Sequence, residues 1–560
     1  MDVTELKKLK VISMKKMIPH LSWRAILLAI LGSVLITASS TYVALRASAL
    51  PWPTVFAAVL SFALMRLFGK RDVNEINVAA TGMSAGAMVA GGLVFTLPGL
   101  FISGLWEVKK TGGASDFIAD HFLTVLLIAV AGVLLGTALC WFLRKRNIEQ
   151  QELPYPIGKA AASTLEAGKE GGTQAIVLLV TLLFAASFTL LRDQWLLFPS
   201  LVSFTIAAIP MTFSMSPMAV GIGSLIGFSS TLYWLLGAAI TTLARFIILE
   251  TTLLSKIKGV EATLGEWNLT IAIALMVGAG AGTFLNFLFG SYKKRKRRSS
   301  VSRTRVTRFS APKGISLLAL VLVALAFIVT ILTGMQVLPA LLLMAGVFFA
   351  AMMSSVITGQ TGINPMEIFG IIVLLAIRAI LPVSSEHAFY IAAVVAVTCG
   401  YAGDMMNDYK SGAILKTNPS AQFFVELIGG FVGAFTATIA FLAIIYSAGG
   451  VGQAAGLPAA QAHSVTAMVQ GLGNPVLFLI AAVVGCGLTL LGIPAMIIGI
   501  GMMLTGFGMA LPIFLGGVIE YLSRTHLKKD SQQAIQMGAA GLLGGEGIMG
   551  TVLAIIALFR

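Results

Sequence analysis

Charge is what this 560-residue chain has least of. Only 11% of its residues are Asp, Glu, Lys or Arg, against about 25% in an average soluble domain. So few charges cannot solvate a surface of this size, which excludes an ordinary soluble enzyme. Cysteine is nearly missing. Cys140, Cys399 and Cys486 lie in apolar runs with neither pairing nor metal spacing, and buried inert thiols are expected. The five histidines, His20, His121, His387, His463 and His526, are scattered, and no His/Cys/Asp/Glu group has the spacing of a metal site. No Walker phosphate loop is found, which argues against direct ATP drive. No cofactor and no bound metal are expected.

What the chain has instead is apolar length. It is 57% hydrophobic with a mean hydropathy of +0.93, and many runs reach the ~20 residues that cross a bilayer. The first is longer than a signal core and lacks a clear cleavage site, so it reads as a retained span. The net charge of +15 is concentrated. Residues 1 to 24 hold six Lys/Arg against two acids, and residues 293 to 313 hold ten against none. Basic clusters beside spans fit the positive-inside rule, not a nucleic-acid partner.

The expected fold is an all-α polytopic membrane protein of about 16 transmembrane helices. They form two tandem, parallel eight-helix repeats with broken or re-entrant segments. The repeats cover 1–290 and 314–560, and 291–313 is a basic cytoplasmic linker. Expected spans include 195–213, 217–250, 387–403 and 493–521. Thr81-Gly82 has an echo in Thr361-Gly362, and Pro217…Gly221-Ile222-Gly223 in Pro494…Gly499-Ile500-Gly501. Such duplication is a common transporter design. Charge places both termini in the cytoplasm of a cell-membrane protein, although an eight-span repeat then leaves Lys256, Lys258, Lys528 and Lys529 outside.

Several breaks in the apolar runs carry chemistry. Phe213-Ser214-Met215-Ser216-Pro217…Gly221-Ile222-Gly223 offers hydroxyls, exposed backbone and a helix restart whose positive end suits an anion. Helix-broken backbone survives in a membrane only inside protein or against a wet cavity. Gly359-Gln360-Thr361-Gly362-Ile363-Asn364-Pro365 is a second break. Leu153-Pro154-Tyr155-Pro156-Ile157-Gly158 fixes an extended loop ahead of a span. Ser214, Ser216, Pro217, Gly221, Gly223, Thr361, Asn364 and Tyr155 are therefore the substrate-binding candidates. Each has a plainer reading as a kink, a cap or a turn.

Intramembrane acids default to functional hypotheses. Asp404 and Asp408 lie four apart on one helical face, with Lys410 nearby to offset them. Glu426 is isolated, and Glu546 stands deep in the last apolar run among glycines. These four are the proton-coupling candidates, Glu546 first. Glu386-His387 reads as a loop pair at a span junction.

Three of these segments together resemble the oligopeptide transporter family, in its yellow-stripe-like and prokaryotic branches. They are Leu153-Pro154-Tyr155-Pro156-x-Gly158, Ser214-Met215-Ser216-Pro217…Val220-Gly221-x-Gly223 and Ala402-Gly403-Asp404-Met405-Met406-Asn407-Asp408-Tyr409-Lys410-Ser411-Gly412. The asparagine-proline-glycine and lysine-isoleucine-proline-proline-arginine signatures of the peptide-transporting branch are not found. The resemblance implies a secondary, proton-coupled importer of oligopeptides or metal-chelate complexes. Its partners would be substrate, protons and the lipid bilayer, and it is compatible with a homo-oligomer. The rival class is a membrane-embedded, magnesium-dependent prenyltransferase using Asp404 and Asp408, but it lacks a second acidic cluster. A channel comes third, for want of a filter sequence.

Overall fold

The computed structural model describes residues 18–48, 50, 53–66, 69, 72–108, 113–167, 173–206, 209–250, 260–294, 313–362, 364–452, 454–470, 474–503 and 507–558. The linker expected at 291–313 lies almost wholly outside the described residues, as do Lys256 and Lys258.

The chain is helical almost throughout. The N-terminal half runs α1 (Trp23–Ala47), α2 (Pro53–Arg66), α3 (Val73–Val94), α4 (Pro98–Ile102), α5 (Gly113–Arg144), α6 (Pro156–Ala167) and α7 (Thr173–Asp193). A hairpin of β1 (Leu201–Ile206) and β2 (Ile209–Ser214) follows, then α8 (Pro217–Ile226), α9 (Phe228–Glu250) and α10 (Val260–Lys294). The C-terminal half runs α11 (Lys313–Leu332), α12 (Val337–Thr361), α13 (Met366–Ile380), α14 (Ser385–Gly400), α15 (Met406–Leu415), α16 (Pro419–Ala448), α17 (Ala460–Gln470), α18 (Pro475–Leu490), α19 (Ala495–Met503), α20 (Phe507–His526) and α21 (Lys529–Ala557). Polar residues mark the starts. Ser22 accepts from Ala25 N–H, Asp72 from Asn74 and Asn474 from Leu477, which satisfies donors that lipid could not.

Among the described residues, eleven helices are long and apolar enough to cross a membrane, and three shorter apolar ones accompany them. The chain is therefore a polytopic membrane protein. Its outer rows, such as Ile176, Leu183 and Phe184 on α7 or Val476, Leu479 and Val483 on α18, are exposed and apolar, as a lipid face requires. The centre is α3 and α14, whose apolar residues are almost all buried, and the inner face of α16, which turns Phe431 and Phe435 outward.

The structure corrects three expected spans. Residues 195–213 do not cross as a helix. Residues 201–214 form an antiparallel hairpin in which Leu201 pairs with Ser214 and Ile206 with Ile209. β-branched and aromatic residues dominate there, and Pro199 and Pro210 bar a continuous helix, so hydropathy alone misleads. Residues 217–250 are two helices, broken at Gly227 with φ +82°, and 493–521 is likewise divided into α19 and α20. Thr81-Gly82 lies inside α3 rather than at its start, whereas Thr361-Gly362 ends α12.

The short helices are gripped closely by long ones. α8 packs on α20 and α21, and α19 on α9 and α10; α7 lies along α21, and α18 along α10. A Cβ at Gly223 would strike the Ile513 carbonyl of α20, and one at Gly501 the Trp234 carbonyl of α9. Gly221 faces the Ala539 carbonyl of α21 in the same way as Gly499 faces that of Ala272 on α10. Small residues let helix backbones approach this closely in membranes.

Candidate functional site

α12 ends on Gly362 at φ +78°, whose N–H bonds the Thr358 carbonyl at 2.8 Å. This left-handed cap turns the chain toward Asn364 and Pro365 before α13 begins. Beside it, α14 passes into a single π turn, Tyr401–Met405, before α15. Such turns frequently accompany functional sites. The widened backbone accepts outside donors here. Asn364 Nδ2 donates to the Cys399 carbonyl at 2.9 Å, and Cys140 Sγ to that of Tyr401 at 3.1 Å. Asn364 Nδ2 also reaches Asp404 Oδ2 at 2.9 Å, while Ser354 Oγ donates to Asn364 Oδ1 at 2.7 Å. Gly403 makes room for this contact, since a Cβ there would overlap the Asn364 side chain.

The Tyr155 loop locks the same region from outside. Tyr155 N–H donates to the Gly359 carbonyl and its OH to the Ser355 carbonyl, both at 2.8 Å. Asn147 Nδ2 reaches Ser355 Oγ at 2.9 Å. Gly158 N–H donates to Asn407 Oδ1 at 3.1 Å. The loop thus clasps the end of α12 to α15. Tyr155 is fully buried and turned to this clasp.

Between these elements and the α18–α19 connection lies a cavity of about 370 Å³, within the roughly 300–1,000 Å³ of small-ligand sites. Asn364, Glu367, Asp404 and Asn407 line one wall, with Gln461 from α17; Thr283, Thr489 and Met496 line the other. Asn407 Nδ2 and Gln461 Oε1 are buried without a hydrogen-bond partner among the described residues. Buried polar groups are normally paired, so these two are available to a ligand. The Thr361 side chain lies outside the described residues. A second cavity of about 320 Å³ is rich in hydroxyls and amides, including Ser39, Ser40, Ser163, Thr164 and Gln536, and Leu50 borders both cavities.

The other acids have different surroundings. Asp408 Oδ2 accepts from Ser84 Oγ at 2.8 Å. Asp404 turns to Asn364, so the two carboxylates diverge. Among the described residues neither forms an ion pair with Lys410. Glu426 is fully buried; its Oε2 accepts from Tyr409 OH at 2.6 Å and its Oε1 has no partner among the described residues.

The Ser214–Gly223 segment is elsewhere, and its ligand is internal. Ser214 is buried at the end of β2, and Ser216 caps α8 with Pro217 in its first turn. Glu546, from α21, accepts from Ser216 Oγ at 2.9 Å and from Met218 N–H at 2.8 Å. Arg192 Nη2 adds a bond at 3.1 Å, and Arg46 stands 3.7 Å away. Gly221 and Gly223 are occupied by helix packing. Sequence reasoning missed Arg46 and Arg192, since nothing local ties them to a glutamate some 354 residues beyond Arg192. It also missed Asn407 and Gln461 as cavity groups. Asn407 stood inside a quoted motif; Gln461 gave no signal.

A helical membrane body with broken helices around a cavity that carries several polar side chains is the architecture of a membrane transporter. Residues 20–557 match the family described as OPT oligopeptide transporter protein, and the chain belongs to that family. A protein of Haemophilus influenzae named "Putative oligopeptide transporter" is 25% identical over 89% of this chain and 90% of its own length. The prenyltransferase alternative is not favoured: the family is one of transporters, and Asp404 and Asp408 point to different partners.

Proposed function

We propose that this chain is a secondary, proton-coupled importer whose substrate, an oligopeptide or a metal-chelate complex, binds in the 370 Å³ cavity. The observation that carries this reading is a chamber with unpartnered Asn407 and Gln461 groups beside the Asn364–Asp404 bond. A second cavity, which shares Leu50 with the first, lies against α1 and α21. Asp404 is the leading proton carrier, because of the two acids that line the chamber, Glu367 and Asp404, it is the one bonded to Asn364 in the break between α12 and α13; Glu426 is second. Glu546 becomes an anchor, because every group around it is a donor or a cation. Ser216, Pro217, Gly221 and Gly223 act with it in holding α8.

The two halves are read as a duplication related by a pseudo-two-fold. α7–α10 correspond to α18–α21, with the short helices α8 and α19 exchanged between long partners. In this register Gly362 corresponds to Ser48, since both end their helices in the left-handed region. The basic linker is assigned to the cytoplasm. The test is uptake into proteoliposomes under an imposed proton gradient, across a panel of peptides and metal chelates. Gradient-dependent accumulation of either class supports the reading; downhill leakage or no uptake of any of them rejects it.

A further inference from the structure

The short helices α8 and α19 are held alike, but their first turns are finished differently. In α8, Gly221 and Gly223 back onto the carbonyls of Ala539 and Ile513; in α19, Gly499 and Gly501 back onto those of Ala272 and Trp234. Seven residues beyond Ala539 on α21 stands Glu546, whose carboxylate takes the Met218 N–H at 2.8 Å. Seven residues beyond Ala272 on α10 stands Ala279, and the residue of α19 that corresponds to Met218 is Met496. Among the described residues no carboxylate accepts from the Met496 N–H. Met496 N–H has no hydrogen-bond partner among the described residues, and Ala279 and Met496 both line the 370 Å³ cavity.

A free helix N-terminus would not by itself mark a site. Here the same cavity also carries two side chains more than nine-tenths buried whose polar atoms are unpartnered: Asn407 Nδ2 (1% exposed) and Gln461 Oε1 (7% exposed). On the α19 side, the buried Thr489 Oγ1 is unpartnered as well. Glu367 and Asp404 stand on the wall formed by α13 and the π turn. We infer that the N-terminus of α19 binds a carboxylate of the substrate, at the place where Glu546 serves α8. Met496 N–H and Thr489 Oγ1 would donate to it, and Glu367 and Asp404 would face the positively charged part of the same molecule. An anion at a helix N-terminus gains both a hydrogen bond and the dipole. The inference rests on the reading of this cavity as the substrate site, and it adds the chemical group that the site selects. A peptide C-terminus and an acidic metal chelate share that group.

The experiment measures binding to the purified full-length protein by titration. The probes are trialanine, trialanine C-terminal amide and ferric citrate. Trialanine or ferric citrate is expected to bind. If it is trialanine, the amide is expected to bind at least tenfold more weakly. Ala279→Glu should place an internal carboxylate against α19, weaken binding of the active probe at least tenfold, and leave thermal stability at or above that of the unmodified protein. Thr489→Val, which removes the hydroxyl with little change of shape, should weaken it several-fold and serves if Ala279→Glu does not fold. Equal binding of trialanine and its amide, wild-type binding by Ala279→Glu or Thr489→Val, or no binding of either carboxylate probe overturns the inference. Carboxylate-dependent binding without proton-driven uptake would leave this inference standing and remove the transport reading; uptake without carboxylate dependence would do the reverse.

Discussion

The carboxylate of Glu546 accepts the backbone N–H of Met218 at 2.8 Å, joining the last helix to the first turn of α8 across 328 residues of sequence. Arg192 completes the contact at 3.1 Å, and both side chains are almost fully buried. Glu546 is thus part of the frame. Arg192 also pairs with Asp193 at 2.6 Å, so its charge stays compensated without Glu546, and the loss is smaller than the cost of a buried pair left with one bare charge, about 3–5 kcal/mol. Glu546→Gln is therefore expected to lower the thermal unfolding temperature and to reduce uphill uptake and counterflow exchange in the same proportion. A stable variant that retains exchange and loses only uphill accumulation would restore Glu546 as a proton carrier.

Asp404→Asn is expected to behave in that second way. The amide can still bond Asn364, so the chamber keeps its shape, but it carries no proton between the two sides. Uphill accumulation should fall to the level of passive equilibration, with counterflow retained within a few-fold. Parallel measurement of both rates in proteoliposomes decides it, and pH-dependent accumulation in this variant would move the coupling site to Glu426 or elsewhere.

Gly403→Ala tests the approach of Asn364 to the π turn. The added methyl overlaps the Asn364 side chain, and overpacking typically costs 1–3 kcal/mol. Uptake is expected to fall about tenfold or more while the protein remains folded in detergent, because Asn364 must leave Asp404. Unchanged uptake kinetics would show that this contact is dispensable.

Tyr155→Phe removes the bond to the Ser355 carbonyl. The Ser355 carbonyl lies inside α12 and keeps its place in the helix ladder, so the loss is that of one net hydrogen bond, about 0.5–1.5 kcal/mol. The expected result is a lower melting temperature with KM nearly unchanged, since Tyr155 acts on the clasp between α12 and the Gly158–Asn407 contact. A large rise in KM with unaltered stability would make Tyr155 a substrate contact.

The class of fold was legible in composition, since long apolar runs and clustered basic residues admit little else. Two of the breaks were legible as well: Asn364-Pro365 and Ser216-Pro217 both lie where helices end or start. What each break faces was not legible. Ser216 is aimed at Glu546 and Asn364 at Asp404, and only tertiary packing decides between an internal partner and a ligand. The hairpin at 201–214 was missed because hydropathy does not distinguish apolar strands from apolar helices. Thr81-Gly82 lies within α3 and Thr361-Gly362 at the end of α12, so this dipeptide is too short to mark a helix end. The Pro217 and Pro494 segments, by contrast, led to α8 and α19.

The account stands on the chamber between Asp404 and Met496 being where substrate sits. Thr283 lines it and is half-buried. Cys140 and Cys399 are buried, so only Cys486 needs replacing by serine to quiet the background. In that background, Thr283→Cys is to be treated with a small thiol reagent in proteoliposomes, with and without a transported substrate. The account predicts that modification blocks uptake and that substrate slows the modification in proportion to its occupancy. Unimpaired uptake after complete modification, together with no protection by substrate, would contradict it.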